Sequence, residues 1–181
     1  MSNIRRAHGE NPIQTLLIQK DRSLRRFTPS DLDAVININR VCLPENYAAY
    51  FFMDTFNTHP ESFIVVESQG NVVGYIMCRV EHGFSDLKKL RFVKKGHVIS
   101  VAVMPDFRRL GMGSALVKDA LSALSNLHVD ECYLEVRISN DAAITLYRRL
   151  GFDIVRTIPR YYYDSSDAYV MAKELTHGSA A

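Results

Sequence analysis

The stretch VISVAVMPDFRRLGMGSAL, Val98 to Leu116, reads as a strand, a tight turn and the start of a helix. Leu116, Val117, Ala120, Leu121 and Leu124 then recur at helical spacing and give that helix one apolar face. Gly111 and Gly113 let main chain approach a ligand closely and accept dihedrals that other residues resist. The free N–H groups of a first helical turn, at the positive end of the helix dipole, favour an anion and above all a phosphate. Arg108 and Arg109 add charge from the turn. No GK[ST] follows and no GxGxxG is present, so the segment is neither a Walker loop nor a dinucleotide fingerprint. By itself it fits a basic surface turn equally well.

Outward from this stretch the pattern alternates. Ser23 to Phe27 suggests a short strand, and Thr28 with Pro29 opens a helix whose apolar stripe is Leu32, Val35 and Ile36. Pro44 closes that helix or the loop after it, and YAAYFFMDTF forms a second. FIVVE and NVVGYIMCRV read as strands joined at Ser68–Asn71 by a hairpin turn. A basic loop, roughly Phe84 to Lys95, precedes the strand HVISVAV. CYLEVRI is a further strand, NDAAITLYRRLG a helix with Asn140 as N-cap and Gly151 at its end, and FDIVRTI and DAYVMAKEL close the pattern. The order β-α-α-β-β-β-α-β-α-β-β predicts one α/β domain over residues 23–175: a mixed sheet of about seven strands with helices on both faces. Residues 1–22 read as a flexible extension and 176–181 as a disordered tail.

A chain of 181 residues with a net charge of +2 is long enough for one well-buried core and too weakly basic to suggest a nucleic-acid partner. The basic pairs Arg5-Arg6, Arg25-Arg26, Lys88-Lys89, Lys94-Lys95 and Arg108-Arg109 read by default as solvated surface. Cys42, Cys78 and Cys132 are odd in number and form no CxxC, which argues against a zinc ribbon or disulfide framework and for the cytoplasm. Neither a signal peptide nor a membrane span is evident.

The six residues Arg108-Arg109-Leu110-Gly111-Met112-Gly113 resemble the pyrophosphate signature Q/R-x-x-G-x-G/A of the GNAT acyltransferases. LPENY (Leu43 to Tyr47), GHVISVAV (Gly96 to Val103), LEVRISNDAAITLY (Leu134 to Tyr147) and RYYYDSSDAYVM (Arg160 to Met171) are similar to the N-terminal acetyltransferases, NatA catalytic-subunit type, and their archaeal RimI-like relatives, in the same order. The resemblance implies the GNAT fold from about Leu24 to Leu175. It implies acetyl-CoA as co-substrate, with no metal required, and acetyl transfer to the α-amino group of a protein N-terminus by direct attack in a ternary complex.

Carried over residue by residue, the resemblance gives the pantetheine arm to the backbone of Val101, Ala102 and Val103. The diphosphate falls to Arg108, Arg109, Leu110, Gly111, Met112, Gly113 and Ser114. Asn140 touches the coenzyme arm and Tyr147 lies near its sulfur; seven residues apart on one helix, the two project to the same side. A splayed strand at Val101–Val103 would leave N–H groups for the developing oxyanion. An α-amine titrates near 7.7–8.0, so about a tenth of N-termini are already neutral at pH 7 and only a modest base is needed. Glu45, His97 and Glu135 are the candidates, His97 and Glu135 acting together on a bridging water, and the sequence leaves the choice open. A plain strand-edge histidine and a solvent-facing glutamate are the bland readings, and two such ligands do not make a zinc site.

The resemblance places peptide contacts on Leu43, Glu45, Tyr47, Tyr161 and Tyr162. Tyrosines suit this work because each couples an apolar face to a hydroxyl. Where the family often carries ADGEDAY this chain carries YDSSDAY, without the glycine and one acid. LPENY goes with Ser, Ala, Thr or Val as first residue, with Met starts in the broader archaeal range. The implied partners are N-terminal segments of proteins, including nascent chains at the ribosome, with no membrane and no auxiliary subunit evident. The competing readings are acetylation of a lysine or small amine, a RimI-like action on one ribosomal protein, and a non-catalytic acetyl-CoA sensor.

Overall fold

A computed structural model describes residues 21–176. Apart from Asp21, Arg22 and Thr176, the expected extension and tail lie outside the described residues. Seven strands and four α-helices follow one another in the order the sequence predicts. They are β1 (Arg22–Arg26), α1 (Leu32–Cys42), α2 (Ala49–Thr58), β2 (Phe63–Ser68), β3 (Asn71–Phe84), β4 (Phe92–Val103), α3 (Met112–Asn126), β5 (Glu131–Arg137), α4 (Asp141–Arg149), β6 (Asp153–Ile158) and β7 (Ala168–Glu174).

They form one mixed sheet in the order β1-β2-β3-β4-β5-β7-β6, in which only β4 and β5 run parallel. Alternation along β2 explains how both faces are covered. Ile64 and Val66 pack with Leu116, Val117 and Leu124 of α3 and Ile144 and Tyr147 of α4, whereas Phe63 and Val65 pack with Val35 and Ile38 of α1 and Phe52 of α2. Gly96 is what lets α3 lie so close. A Cβ there would stand 2.7 Å from Leu124 Cδ1.

Local signals act largely as read. Thr28 and Asp31 form a capping box, with Thr28 N–H donating to Asp31 Oδ2 at 2.8 Å. Gln69 and Gly70, with φ 52° and 73°, make the tight β2–β3 turn, and Gly151 ends α4 at φ 86°. The stripe of α1 turns further than its sequence suggested, since Val35, Ile38 and Asn39 are its buried residues.

The expected loop Phe84–Lys95 is shorter. Phe84 pairs with Phe92 as the end of a long β3–β4 hairpin, and Lys94 and Lys95 belong to β4. The error came from taking charge as a sign of loop. Lys95 is buried, because Asp86 Oδ2 accepts its Nζ at 2.5 Å, Glu131 lies at 3.7 Å and the ring of Tyr133 sits 4.2 Å below the ammonium. No helix among the described residues is long and apolar enough to cross a membrane.

Candidate active site at the parting of two strands

The β4–β5 ladder lasts only three pairs, Lys95–Glu131, Gly96–Cys132 and His97–Tyr133, and beyond it the parallel strands separate. A bulge at Ile99, where β4 holds one more residue than β3 between the pairs Met77–Ser100 and Cys78–Val98, bends β4 away. Met104 N–H donates to Val73 O at 2.9 Å, on the β3 side. By the two-residue alternation of a strand, the amides of Val101 and Val103 therefore face the gap. Ala102 points its side chain into the α1–α2 core.

At the end of β4 the chain turns into α3. Gly111 occupies the N-cap at φ 80°, and the first intrahelical bond runs from Ala115 N–H to Gly111 O at 3.0 Å. The amides of Met112, Gly113 and Ser114 precede that bond and point out of the helix start, as a phosphate cradle requires. Arg109 holds φ 64°, which tightens the turn at a cost of about 1–2 kcal/mol. Arg108 and Arg109 are exposed, and Arg108 Nε donates to Val103 O at 3.0 Å, tying the turn to the strand. Arg22, a residue the sequence assigned to the extension, braces the same turn by donating to Leu110 O at 3.1 Å. Across the gap Asn140 caps α4, its Oδ1 accepting Ala143 N–H at 3.2 Å, and Tyr147 is buried edge-on to Phe152. Burial pushes the Tyr147 phenol well above its ordinary range, so it remains a proton donor at neutral pH.

His97 and Glu135 meet directly: His97 Nε2 lies 2.7 Å from Glu135 Oε2. The His97 ring stacks parallel on Tyr133 at 4.4 Å, and Tyr133 donates its hydroxyl to Glu81 Oε1 at 2.6 Å. Burial works to raise the Glu81 carboxyl, but that hydrogen bond and the charges of Arg79 and His97 outweigh it and leave it below the usual range. The two members of the pair are equally screened, with 13% and 12% of their side chains exposed. Burial raises the phenols of Tyr47, Tyr161 and Tyr162, and the Glu135 carboxylate adds to all three shifts. Glu135 thus lies within electrostatic reach of these three phenols.

Those tyrosines line a mouth beyond the pair. Tyr47 stacks on Phe51 at 4.8 Å, Leu43 packs on the α1–α2 core, and Tyr161 meets Tyr162 edge-on at 5.0 Å. Glu45 is joined to the opposite wall by Arg137, whose Nη2 donates to Glu45 Oε1 at 2.5 Å. Arg137 Nη1 donates to Asp164 Oδ2 at 2.7 Å and Ser166 Oγ at 2.5 Å, and its guanidinium lies 3.9 Å from the Tyr162 ring centre. Ser166 stands at the position of the missing acid, and its hydroxyl accepts from Arg137. Ser165, at the position of the family's glycine, adopts φ 62°, so the turn keeps its left-handed residue with a side chain on it.

The sequence model of the Acetyltransferase (GNAT) family matches residues 32–152. The chain belongs to the GNAT acetyltransferase family. Within it the chain groups with N-alpha-acetyltransferases. It is 48% identical over 158 residues to the N-alpha-acetyltransferase of Sulfurisphaera tokodaii, a match covering 86% of this chain and 95% of that one. The crystal structure of Ard1 from Thermoplasma volcanium shares 35% identity at a TM-score of 0.76, over 86% of this chain and 99% of that chain. Arabidopsis thaliana Naa50, solved in complex with the bisubstrate analogue CoA-Ac-MVNAL, aligns at a TM-score of 0.73 and 28% identity, over 84% and 98%.

In this GNAT acetyltransferase the strand gap opens beyond the His97–Tyr133 pair and the glycine turn follows the end of β4. Sequence reasoning missed Arg137, Asn39, Tyr133 and Arg22. A signal for two of them existed: Tyr133, Glu135 and Arg137 alternate along β5, and so share one face of the sheet with His97 of β4. Arg22 and Asn39 carry no such signal.

Proposed function

We propose that this chain moves the acetyl group of acetyl-CoA to the α-amino group of protein N-termini that begin with Ser, Ala, Thr or Val, with Met starts as the broader range. One observation carries the reading. The gap beyond His97–Tyr133 has a phosphate-type helix start at one end and a mouth of Glu45, Tyr47, Tyr161 and Tyr162 at the other. That suits a diphosphate-bearing donor and a peptide-like acceptor meeting in the middle. The residues fit the donor: Gly111 has no Cβ to crowd an anion, three helix-start amides converge, and Arg108 and Arg109 neutralise charge. Acetyl-CoA supplies an activated thioester.

The amides of Val101 and Val103 stabilise charge developing on the acetyl oxygen. Glu135 takes the proton from the incoming ammonium, directly or through water, and His97, 2.7 Å from it, holds it in place. Glu45, tied through Oε1 to Arg137, positions the acceptor's first residue. Tyr147 donates its phenolic proton, or a hydrogen bond, to the departing sulfur. The acceptors include nascent chains, and the three free thiols agree with the cytoplasm.

Steady-state acetylation with acetyl-CoA tests this on peptides starting with Ser, Ala, Met-Leu and Met-Glu, with an N-terminally blocked peptide carrying an internal lysine as control. Transfer to free α-amines alone is expected. Transfer to the blocked peptide alone would move the reading to lysine acetylation. Silence on all five, with acetyl-CoA still bound, would point to a small amine or a sensor.

A further inference from the structure

Asn39, in the last turn of α1, is 1% exposed, and every side-chain group it owns is engaged. Its Nδ2 donates to Glu45 O at 3.2 Å and to Tyr75 Oη at 3.0 Å, while its Oδ1 accepts Tyr47 N–H at 3.1 Å. Tyr75, fully buried in β3, extends the network, since its Oη lies 2.8 Å from Ser100 Oγ. Ser100 stands directly after the β4 bulge and directly before Val101. Burying an unpaired amide costs about 2–7 kcal/mol, so Asn39 is stable there because each of its polar groups has a partner.

What the network grips is main chain. Among the described residues, the backbone of residues 44–47 is held by two side chains: Asn46 Nδ2, which donates to Pro44 O at 3.1 Å, and Asn39. Asn39 takes the carbonyl of Glu45 and the amide of Tyr47, the two residues whose side chains line the acceptor mouth. Their backbone is thereby referenced, through Tyr75 and Ser100, to the strand whose next amide faces the donor.

We propose that Asn39, with Tyr75 and Ser100 behind it, is the positioning residue of the acceptor loop and sets the distance between the acceptor's first residue and the Val101 strand. It touches neither substrate. The proposal rests on the reading that Glu45 and Tyr47 contact the acceptor peptide. A rigid loop referenced to the donor strand discriminates first residues by size, so loosening it changes the ranking of substrates as well as their affinity.

The test is steady-state kinetics of Asn39→Ala, Tyr75→Phe and Glu45→Ala on Ser- and Met-Leu-starting peptides, with acetyl-CoA affinity by calorimetry and Tm recorded for each. Tyr75→Phe keeps the ring that packs on Phe52 and Phe63 and removes only the hydroxyl, so it stands in if Asn39→Ala folds poorly. The expected result is a rise in peptide KM of about tenfold for Asn39→Ala and about threefold for Tyr75→Phe, a narrower Ser-to-Met-Leu preference, and acetyl-CoA affinity within twofold of wild type. A residue that merely supports the fold would lower Tm and leave KM and ranking unchanged. If Glu45→Ala moves KM while the other two leave KM and ranking at wild type, the positioning role is wrong and the acceptor-loop reading stands. If none of the three moves KM, both fall.

Discussion

The two ends of the strand gap are made from different materials. The end proposed for the donor is main chain: amides of Val101, Val103 and the α3 start, shaped by a bulge, a positive φ at Gly111 and one arginine tied to Val103 O. The end proposed for the acceptor is side chain, with Glu45, Arg137, Asp164 and Ser166 held in one chain of ion pairs and hydrogen bonds and tyrosines around it. A diphosphate and a pantetheine arm are the same for every turnover, so a fixed backbone cradle serves. N-termini vary, and a wall of side chains can be re-tuned without altering the sheet.

The contrast can be broken or sharpened by substitution. Glu135→Gln removes the proposed base between the two ends, and kcat is expected to fall about a hundredfold with acetyl-CoA affinity retained; steady-state kinetics beside calorimetry measures both. If kcat holds, the base lies elsewhere. At the donor end Gly111→Val puts a branched residue at φ 80°, strain of about 1–2 kcal/mol, and crowds the cradle; acetyl-CoA should bind at least about tenfold more weakly.

At the acceptor end Arg137→Ala frees both loops. The peptide KM should rise about tenfold while acetyl-CoA affinity stays put, and a double-mutant cycle with Glu45→Ala should show coupling, because the two carry one interaction. An equal loss of donor affinity would mean the ends are not separable. The smallest effect belongs to Ser165→Gly. Relieving a left-handed serine should stabilise the protein by about 0.5 kcal/mol, seen as a slight rise in Tm without change in kcat.

Asp164 gives the acceptor wall a pH limit. Hydrogen bonds from Ser166 and the Arg137 guanidinium hold its carboxyl at about 2. A lowered carboxyl contributes above its ordinary value near 3.9 and loses that contribution as pH falls toward 2, so the Arg137 clamp persists through neutral and mildly acidic solution.

The same division governs what could be read in advance. The element order and the glycine turn were legible because strand alternation, helix caps and left-handed positions are local requirements that leave local marks. Charge misled wherever burial was decided at long range: Lys95 looked like loop and lies inside, satisfied by Asp86 and by Glu131 on another strand. Arg137 sat within a quoted motif yet had no role until Glu45, 92 residues away in sequence, came to meet it.

By itself, then, the sequence determined the order of elements, the two-faced sheet and the glycine-led helix start, since each follows from side-chain periodicity or from a glycine that backbone sterics demand. Only the tertiary structure decided that His97 meets Glu135 directly, that Arg137 joins Glu45 to Asp164, and that Asn39 holds the loop at Glu45. Those depend on where β4 and β5 part and on how α1 lies on the sheet, and contacts across such distances are fixed by packing of the whole core rather than by any stretch of the chain.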